Sequence, residues 1–221
     1  MFDALAAVLA GRPRWLDVLQ RLAYWPQEED PARAVAMVET LADRLWHPRD
    51  RVLTGVVTNQ LADGVVRPYL RVVRVVDADF PRLDLHGRMD VLERMCSDAV
   101  GVRHLWGFST RVLFGDPVIA LLAARTTGLK FVRISQSRVG VEGARLIATS
   151  PAFAGLEELS LHSNALDDEA AALLLASKQL DGVKSVNLYD NQIGDEMVAR
   201  IRAHLPWKAA KLVLHGQNRA A

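Results

Sequence analysis

Leu156-Glu-Glu-Leu159-Ser-Leu161-His-Ser-Asn164-Ala-Leu166 is followed by Val183-Lys-Ser-Val186-Asn-Leu188-Tyr-Asp-Asn191-Gln-Ile193, and every apolar slot and the Asn slot match at an offset of 27. Upstream, Leu129-Lys-Phe-Val132-Arg-Ile134-Ser-Gln-Ser137-Arg-Val139 fits the same offset; downstream, Leu212-Val-Leu214-His-Gly-Gln217 fits at 26. A fixed period of this size is the signature of a solenoid, in which each copy buries its apolar face only against its neighbours.

The residue types assign each slot a task. Leu159 and Leu161 alternate with Glu158, Ser160 and His162, which predicts a strand with one buried face. Successive copies then stack as parallel strands. Asn164 and Asn191 fall where the strand turns away, and a buried amide there satisfies backbone groups of the bend and of the adjoining repeat. Helices are expected to begin near Asp167-Asp168 and Gly194-Asp195, with acids at their positive ends. Leu173, Leu174 and Ile201 should close the core, and the slim run Ala170–Ala172 lets helix and sheet approach.

This pattern, Leu-x-x-Leu-x-Leu-x-x-Asn-x-Leu followed by an acidic or Gly turn and an Ala-rich helix, resembles the leucine-rich repeats of the ribonuclease-inhibitor-like class. The resemblance covers Leu129 to Gln217 well and Phe80 to Gly128 poorly. Ser137 and Gln217 stand in the Asn slot, the period is slightly short, and no capping helix is expected after the final strand. It implies an α/β leucine-rich-repeat solenoid, with parallel strands on a concave face and helices on a convex face.

Residues 1–78 read as a small helical N-terminal region or cap, and 79–221 as the solenoid, with irregular repeats at 79–128 and regular ones at 129–217. Phe2 to Ala10 patterns as a short helix stopped by Gly11 and Pro13. Trp15, Leu16, Leu19 and Leu22 mark a second. Asp30-Pro31 is an N-cap with Pro at the first helical position, opening a stripe of Val35, Val38, Leu41, Ala42 and Leu45 that stops before His47-Pro48. Leu53, Val56, Val57, Gln60 and Leu61 suggest one more helix. Phe80-Pro-Arg-Leu83-Asp-Leu85 and Val102-Arg-His-Leu105-Trp-Gly107-Phe108 resemble degraded repeat starts, Leu105 preceding Val132 by 27. Helical stretches follow at Met89–Cys96 and Pro117–Ala124.

Composition narrows the function classes. In 221 residues the net charge is +1, so no global field favours nucleic acid or an acidic partner. The basic residues are mostly Arg, with no Lys before Lys130, a bias that suggests a GC-rich bacterial genome. The lone Cys96 excludes an intrachain disulfide. It follows Met95 on a stripe with Leu92 and reads as a buried, inert thiol. The N-terminus lacks the positive charge of a signal peptide, and no apolar run approaches the ~18 residues of a membrane span. A cytoplasmic protein is the expectation.

Aligning the repeats on one offset puts Phe108, Ser135, His162, Tyr189 and His215 in one column of the exposed strand face, with His86 at its start. The neighbouring column holds Trp106, Arg133, Ser160, Asn187 and Val213. Aromatic and imidazole groups on an exposed face are the composition of a binding surface; ordinary ladder stacking between strands also produces such pairs. The expected partner-binding set is Trp106, Phe108, Arg133, Glu158, His162, Asn187, Tyr189 and His215. His162 and His215 lie two strands apart, about 9.6 Å, too far to share one metal ion. No cofactor is implied. Arg67, Arg71 and Arg74 share a face if Pro68 opens a helix, which in a neutral chain reads as solvated; if Val72, Val73, Val75 and Val76 form a strand, the stripe disappears. No phosphate loop, zinc motif or nucleophile elbow occurs.

The expected function is a non-enzymatic module that binds a protein partner through the concave face. The alternative, which the resembling class implies, is a regulator of an enzyme: an inhibitor of a nuclease or an activator of a small GTPase. Glu158 and Asp190 against Arg133 and Lys211 give that face no strong sign. The final strand, Lys211 to His215, has an open outer edge in this reading, which allows a homodimer.

Overall fold

Asp30 shows how local the first elements are. Its carboxylate accepts from the Arg33 amide at 3.1 Å and Pro31 follows it, so the chain enters helix α3 (Pro31–Leu45) as the cap pattern dictates. Before it come α1 (Phe2–Ala10) and α2 (Trp15–Ala23); after it come β1 (Val52–Leu53), β2 (Val75–Asp77) and α4 (Leu85–Met95). The computed structural model describes residues 1–26, 28–53, 68–78, 85–96 and 105–217, with backbone alone at 68, 85, 86, 88 and 94. The chain divides into two compact units, Met1–Trp106 and Gly107–Ala221.

In the first unit the core is built around Val18, Leu19, Val35 and Val38 from α2 and α3, all 2% exposed or less. Three indoles tie it together through backbone acceptors: Trp15 Nε1 donates to the Val52 carbonyl (2.9 Å), Trp46 Nε1 to that of Pro13 (2.9 Å), and Trp25 Nε1 to that of Glu29. The region expected to be all helical contains a parallel strand pair, with Val52 opposite Val75 and Leu53 opposite Val76. Leu53 is therefore a strand residue; the rest of the expected helix and Phe80–Asp84 lie outside the described residues. Leu85 opens a helix, and among the described residues the strand preceding it is Val75–Asp77.

Arg67 lies outside the described residues, and Arg71 and Arg74 do not share an α-helical face, because Pro68–Val72 is a 3-10 turn and Val75 begins a strand. Arg71 pairs with Glu39 (3.3 Å), and Arg74 donates to the carbonyls of Arg71 and Val73. Burial lowers the Arg74 pKa first, and the neighbouring Arg51 adds to it. Leu92 and Met95 are buried, but Cys96 is half-buried rather than enclosed.

The second unit is the solenoid. Strands β3 (Gly107–Thr110), β4 (Phe131–Ile134), β5 (Glu158–Ser160), β6 (Ser185–Asn187) and β7 (Lys211–Val213) pair in order, all parallel. Helices α5 (Asp116–Arg125), α6 (Val141–Thr149), α7 (Asp168–Ala176) and α8 (Asp195–Ala203) alternate with them. Val132, Leu159 and Val186 stand opposite one another and are 0–1% exposed, closed off from behind by Ile147, Leu174 and Ile201.

From β4 to β5 and from β5 to β6 the register advances by 27 residues, as Phe131, Glu158 and Ser185 show. From β3 to β4 it advances by 24, Gly107 pairing with Phe131. The missing three residues lie between helix and strand. Later repeats carry a 3-10 turn there, Pro151–Phe153 and Lys178–Leu180, and Thr126–Lys130 has none.

The bends are held by the Asn slot. Asn191, 0% exposed, accepts at Oδ1 from the amides of Asn164 and Leu166 (both 3.2 Å). Its Nδ2 donates to the carbonyls of Leu161, Leu188 and Tyr189. Asn164 repeats this one turn earlier on the amides of Ser137 and Val139 (3.0 and 3.1 Å). Gln217, one methylene longer, accepts from the Ile193 amide and donates to the Leu188 and Leu214 carbonyls. Ser137 donates to the Val112 and Ser135 carbonyls instead. The residue before each slot is left-handed: Gln136, Ser163 and Asp190 at φ 54–55° and Gly216 at 71°.

A second ladder joins helix starts. The Asp116 carboxylate accepts from the Gly140 amide (2.9 Å) and the Asp168 carboxylate from the Gly194 amide (2.6 Å). A Cβ on Gly143 would meet Asp116 Oδ1 at 2.5 Å and Val139 Cγ1 at 2.6 Å, so that contact requires glycine. At the other helix end, Ser177 Oγ donates to the Ala148 carbonyl (2.6 Å), and Trp207 Nε1 to that of Leu180 (2.9 Å).

Candidate functional site

Strand alternation turns Arg133, Ser160, Asn187 and Val213 outward in one row, and the register adds Ser109 as its first member. Beyond the strand ends the row of His162, Tyr189 and His215 continues on the same side. These three, with Gln136, Ser163, Asn187 and Val213, line a shallow depression of about 460 Å³.

Its geometry is set from below. Asn187 Oδ1 accepts from the Tyr189 amide (3.0 Å), which fixes the chain as it leaves β6. The Tyr189 ring lies 4.9 Å from that of His215, tilted by 59°. Gly216 permits this: a Cβ there would sit 2.5 Å from the tyrosine ring, in a left-handed backbone that disfavours side chains anyway. His162 Nδ1 is 3.3 Å from Ser163 Oγ. Tyr189 remains 38% exposed, so its ring is held and yet available.

Arg133 and Glu158 form an ion pair on this face, 2.5 Å apart, while the Arg133 guanidinium covers the Phe131 ring at 4.9 Å, and Lys184 meets Glu157 at 2.7 Å. Phe131 in turn lies over Gly107, where a Cβ would collide with the ring at 2.0 Å. Exposed pairs of this kind contribute about 0–1 kcal/mol, so they fix side chains more than they stabilise the fold.

Of the eight expected residues, the structure gathers His162, Asn187, Tyr189 and His215 in the depression and leaves Arg133 and Glu158 outside its lining, paired with each other. Two do not belong. Phe108 stands opposite Val132 and is 1% exposed, a core residue. Trp106 lies in the first unit, edge-on to His47 (5.3 Å) with Arg49 over its ring (5.6 Å). Ser135 is also buried, within reach of the Thr110 carbonyl. The His86 side chain lies outside the described residues. Gln136 and Ser163 were missed because they belong to the left-handed bend, whose only advertisement in residue type is Gly216. Among the described residues no group of three or more His, Cys, Asp or Glu side chains is placed to hold a metal ion. No described helix is long and apolar enough to cross a membrane.

No protein-family model matches the chain, and no curated protein matches it significantly. Among solved structures, it is similar to the actin-binding site 2 of leiomodin-1, at 13% identity and TM-score 0.35, over 73% of this chain and 78% of that one. It is likewise similar to a protein from Bacteroides fragilis, at 15% identity and TM-score 0.38, over 75% of this chain and 62% of that one. These likenesses are distant, and the architecture rests on the repeats themselves.

Proposed function

We propose that the protein is a non-enzymatic interaction module of the ribonuclease-inhibitor-like repeat class, which binds a protein partner through the strand face around Tyr189. The observation that carries this reading is the fixed, exposed Tyr189–His215 ring pair beside His162, on the strand face that also carries the Arg133–Glu158 ion pair. A rigid aromatic with a polar tip loses little freedom on binding and supplies both apolar area and a hydrogen bond. The class assignment is supported by the Asn slot and by strand and helix alternating at a period of 27, with Ser137 and Gln217 as departures.

The test is affinity capture from the native cell followed by titration of the identified partner. Tyr189→Ala should weaken binding about tenfold or more, about 1.4 kcal/mol. Undiminished binding by a Tyr189→Ala, His162→Ala, Arg133→Ala triple variant would move the site off this face. A substrate-turnover screen that found activity sensitive to the same variants would overturn the non-enzymatic reading.

A further inference from the structure

The first unit carries its own trough, independent of the strand face. Helices α1 and α3 run side by side in the same direction: Phe2 lies under Arg33 at their starts, with 4.5 Å from guanidinium to ring, and Trp46 bonds Pro13 beyond their ends. Between them is a groove of about 490 Å³ whose walls are Ala6, Leu9 and Ala10 on one side and Met37, Leu41 and Leu45 on the other. From Met37 to Leu45 it extends about 12 Å at 1.5 Å per residue, about two helical turns. Its depth comes from the small side chains at 6 and 10, which leave room where a larger residue would fill the gap.

The polar groups of the groove are distributed unevenly. Arg12 and Arg44 both stand at the end where α1 and α3 finish, and both are exposed. Among the described residues neither has an ion-pair partner. The acids on α3 that could neutralise them are engaged elsewhere: Glu39 with Arg71 at 3.3 Å and Asp43 with Arg51 at 2.6 Å. The two helix C-termini supply only about half a negative charge each, so this end of the groove stays positive. An apolar trough with uncompensated cations at one end is complementary to a ligand with an apolar stripe and negative charge at one end.

We infer that the α1–α3 groove receives an amphipathic helix of a partner protein, lying antiparallel to both and carrying acidic residues in its first turn. Antiparallel seating brings the positive N-terminus of the incoming helix to the negative ends of α1 and α3, and its first-turn carboxylates to Arg12 and Arg44. Its apolar residues at i, i+3, i+4 and i+7 then fill the trough, the helix-in-groove mode of recognition. This surface acts whether or not the strand face binds anything.

The experiment is fluorescence anisotropy on the full chain with three probes: a labelled helical peptide with Leu at those four positions and Glu in its first turn, the same peptide with Lys in place of Glu, and a labelled long-chain fatty acid. The Glu peptide should bind at least tenfold more tightly than the Lys peptide, and its affinity should fall as salt is raised. In an Arg12→Glu, Arg44→Glu variant the preference should reverse. These side chains are exposed, and unchanged circular dichroism verifies the fold; an Arg12→Gln, Arg44→Gln variant, which should merely abolish the preference, serves if the reversal variant unfolds. Ala10→Phe should block both peptides. Equal binding of the two peptides, binding of neither, retention of the Glu preference in the arginine variants, or binding of the fatty acid alone each overturns the inference.

Discussion

The two units solve the same problem, satisfying buried backbone polar groups, by different means. In Gly107–Ala221 the answer is periodic: Asn164, Asn191 and Gln217 each complete the bend one repeat earlier, and Asp116 and Asp168 each receive an amide from the next helix start. In Met1–Trp106 it is particular: Trp15, Trp25 and Trp46 each find a different carbonyl, at sequence separations from 4 to 37. A periodic answer distributes stability over nearest-neighbour contacts. A particular one concentrates it in a few large side chains.

That contrast can be attacked from its most heavily packed point. Trp207 combines both strategies, being 1% exposed and bonded to Leu180 in the preceding repeat. Trp207→Ala should cost about 3–5 kcal/mol, read as a lowered denaturation midpoint by circular dichroism. A cost below 1 kcal/mol would mean that this indole fills no real core. Next comes the ladder. Asn191→Ala should cost about 1–3 kcal/mol through amides and carbonyls left without partners. Trp207 is the sole tryptophan of the second unit, so its fluorescence should report the loss. Hydrogen exchange should quicken at the Asn164 and Leu166 amides while the Ala34 and Val35 amides of α3 keep their protection. Uniform quickening would show that the ladder is not a local device.

A smaller effect separates the second ladder from plain packing. Gly143→Ala should cost about 1–2 kcal/mol by crowding Asp116 and Val139. Combined with Asp116→Ala it should cost less than the sum of the two, since they share the contact. Strict additivity would remove the link. The smallest effect is expected at Arg133→Ala, under about 1 kcal/mol in stability, which makes it a clean probe of binding at the strand face.

The same contrast explains what the sequence disclosed. Asn164 and Asn191 were legible because a recurring residue at a recurring offset needs no knowledge of its partners. Helix α3 was legible because Asp30 and Pro31 act within one turn. Phe108 leaves its expected column because the 27-residue offset does not hold in a repeat that lacks the 3-10 turn. The resulting slip of three residues is odd, and an odd slip moves a strand residue to the opposite face. The β1–β2 pair was hidden because Val52–Leu53 and Val75–Asp77 are too short for alternation to show, and Val72–Val76 reads equally as a buried helix segment. The depression was legible only in its side chains from regular repeats. Its shape depends on Gly216 and on the left-handed bends, which periodicity does not reveal.

The direction of the Asn ladder sets a timetable. The amides of Ser137 and Val139 receive their acceptor from Asn164, and those of Asn164 and Leu166 from Asn191. As the chain leaves the ribosome, each bend therefore stays open until about 27 more residues have been made, roughly 1–5 s at typical elongation rates. The newest turn of the coil is always the loosest, and each arriving asparagine locks the one already made.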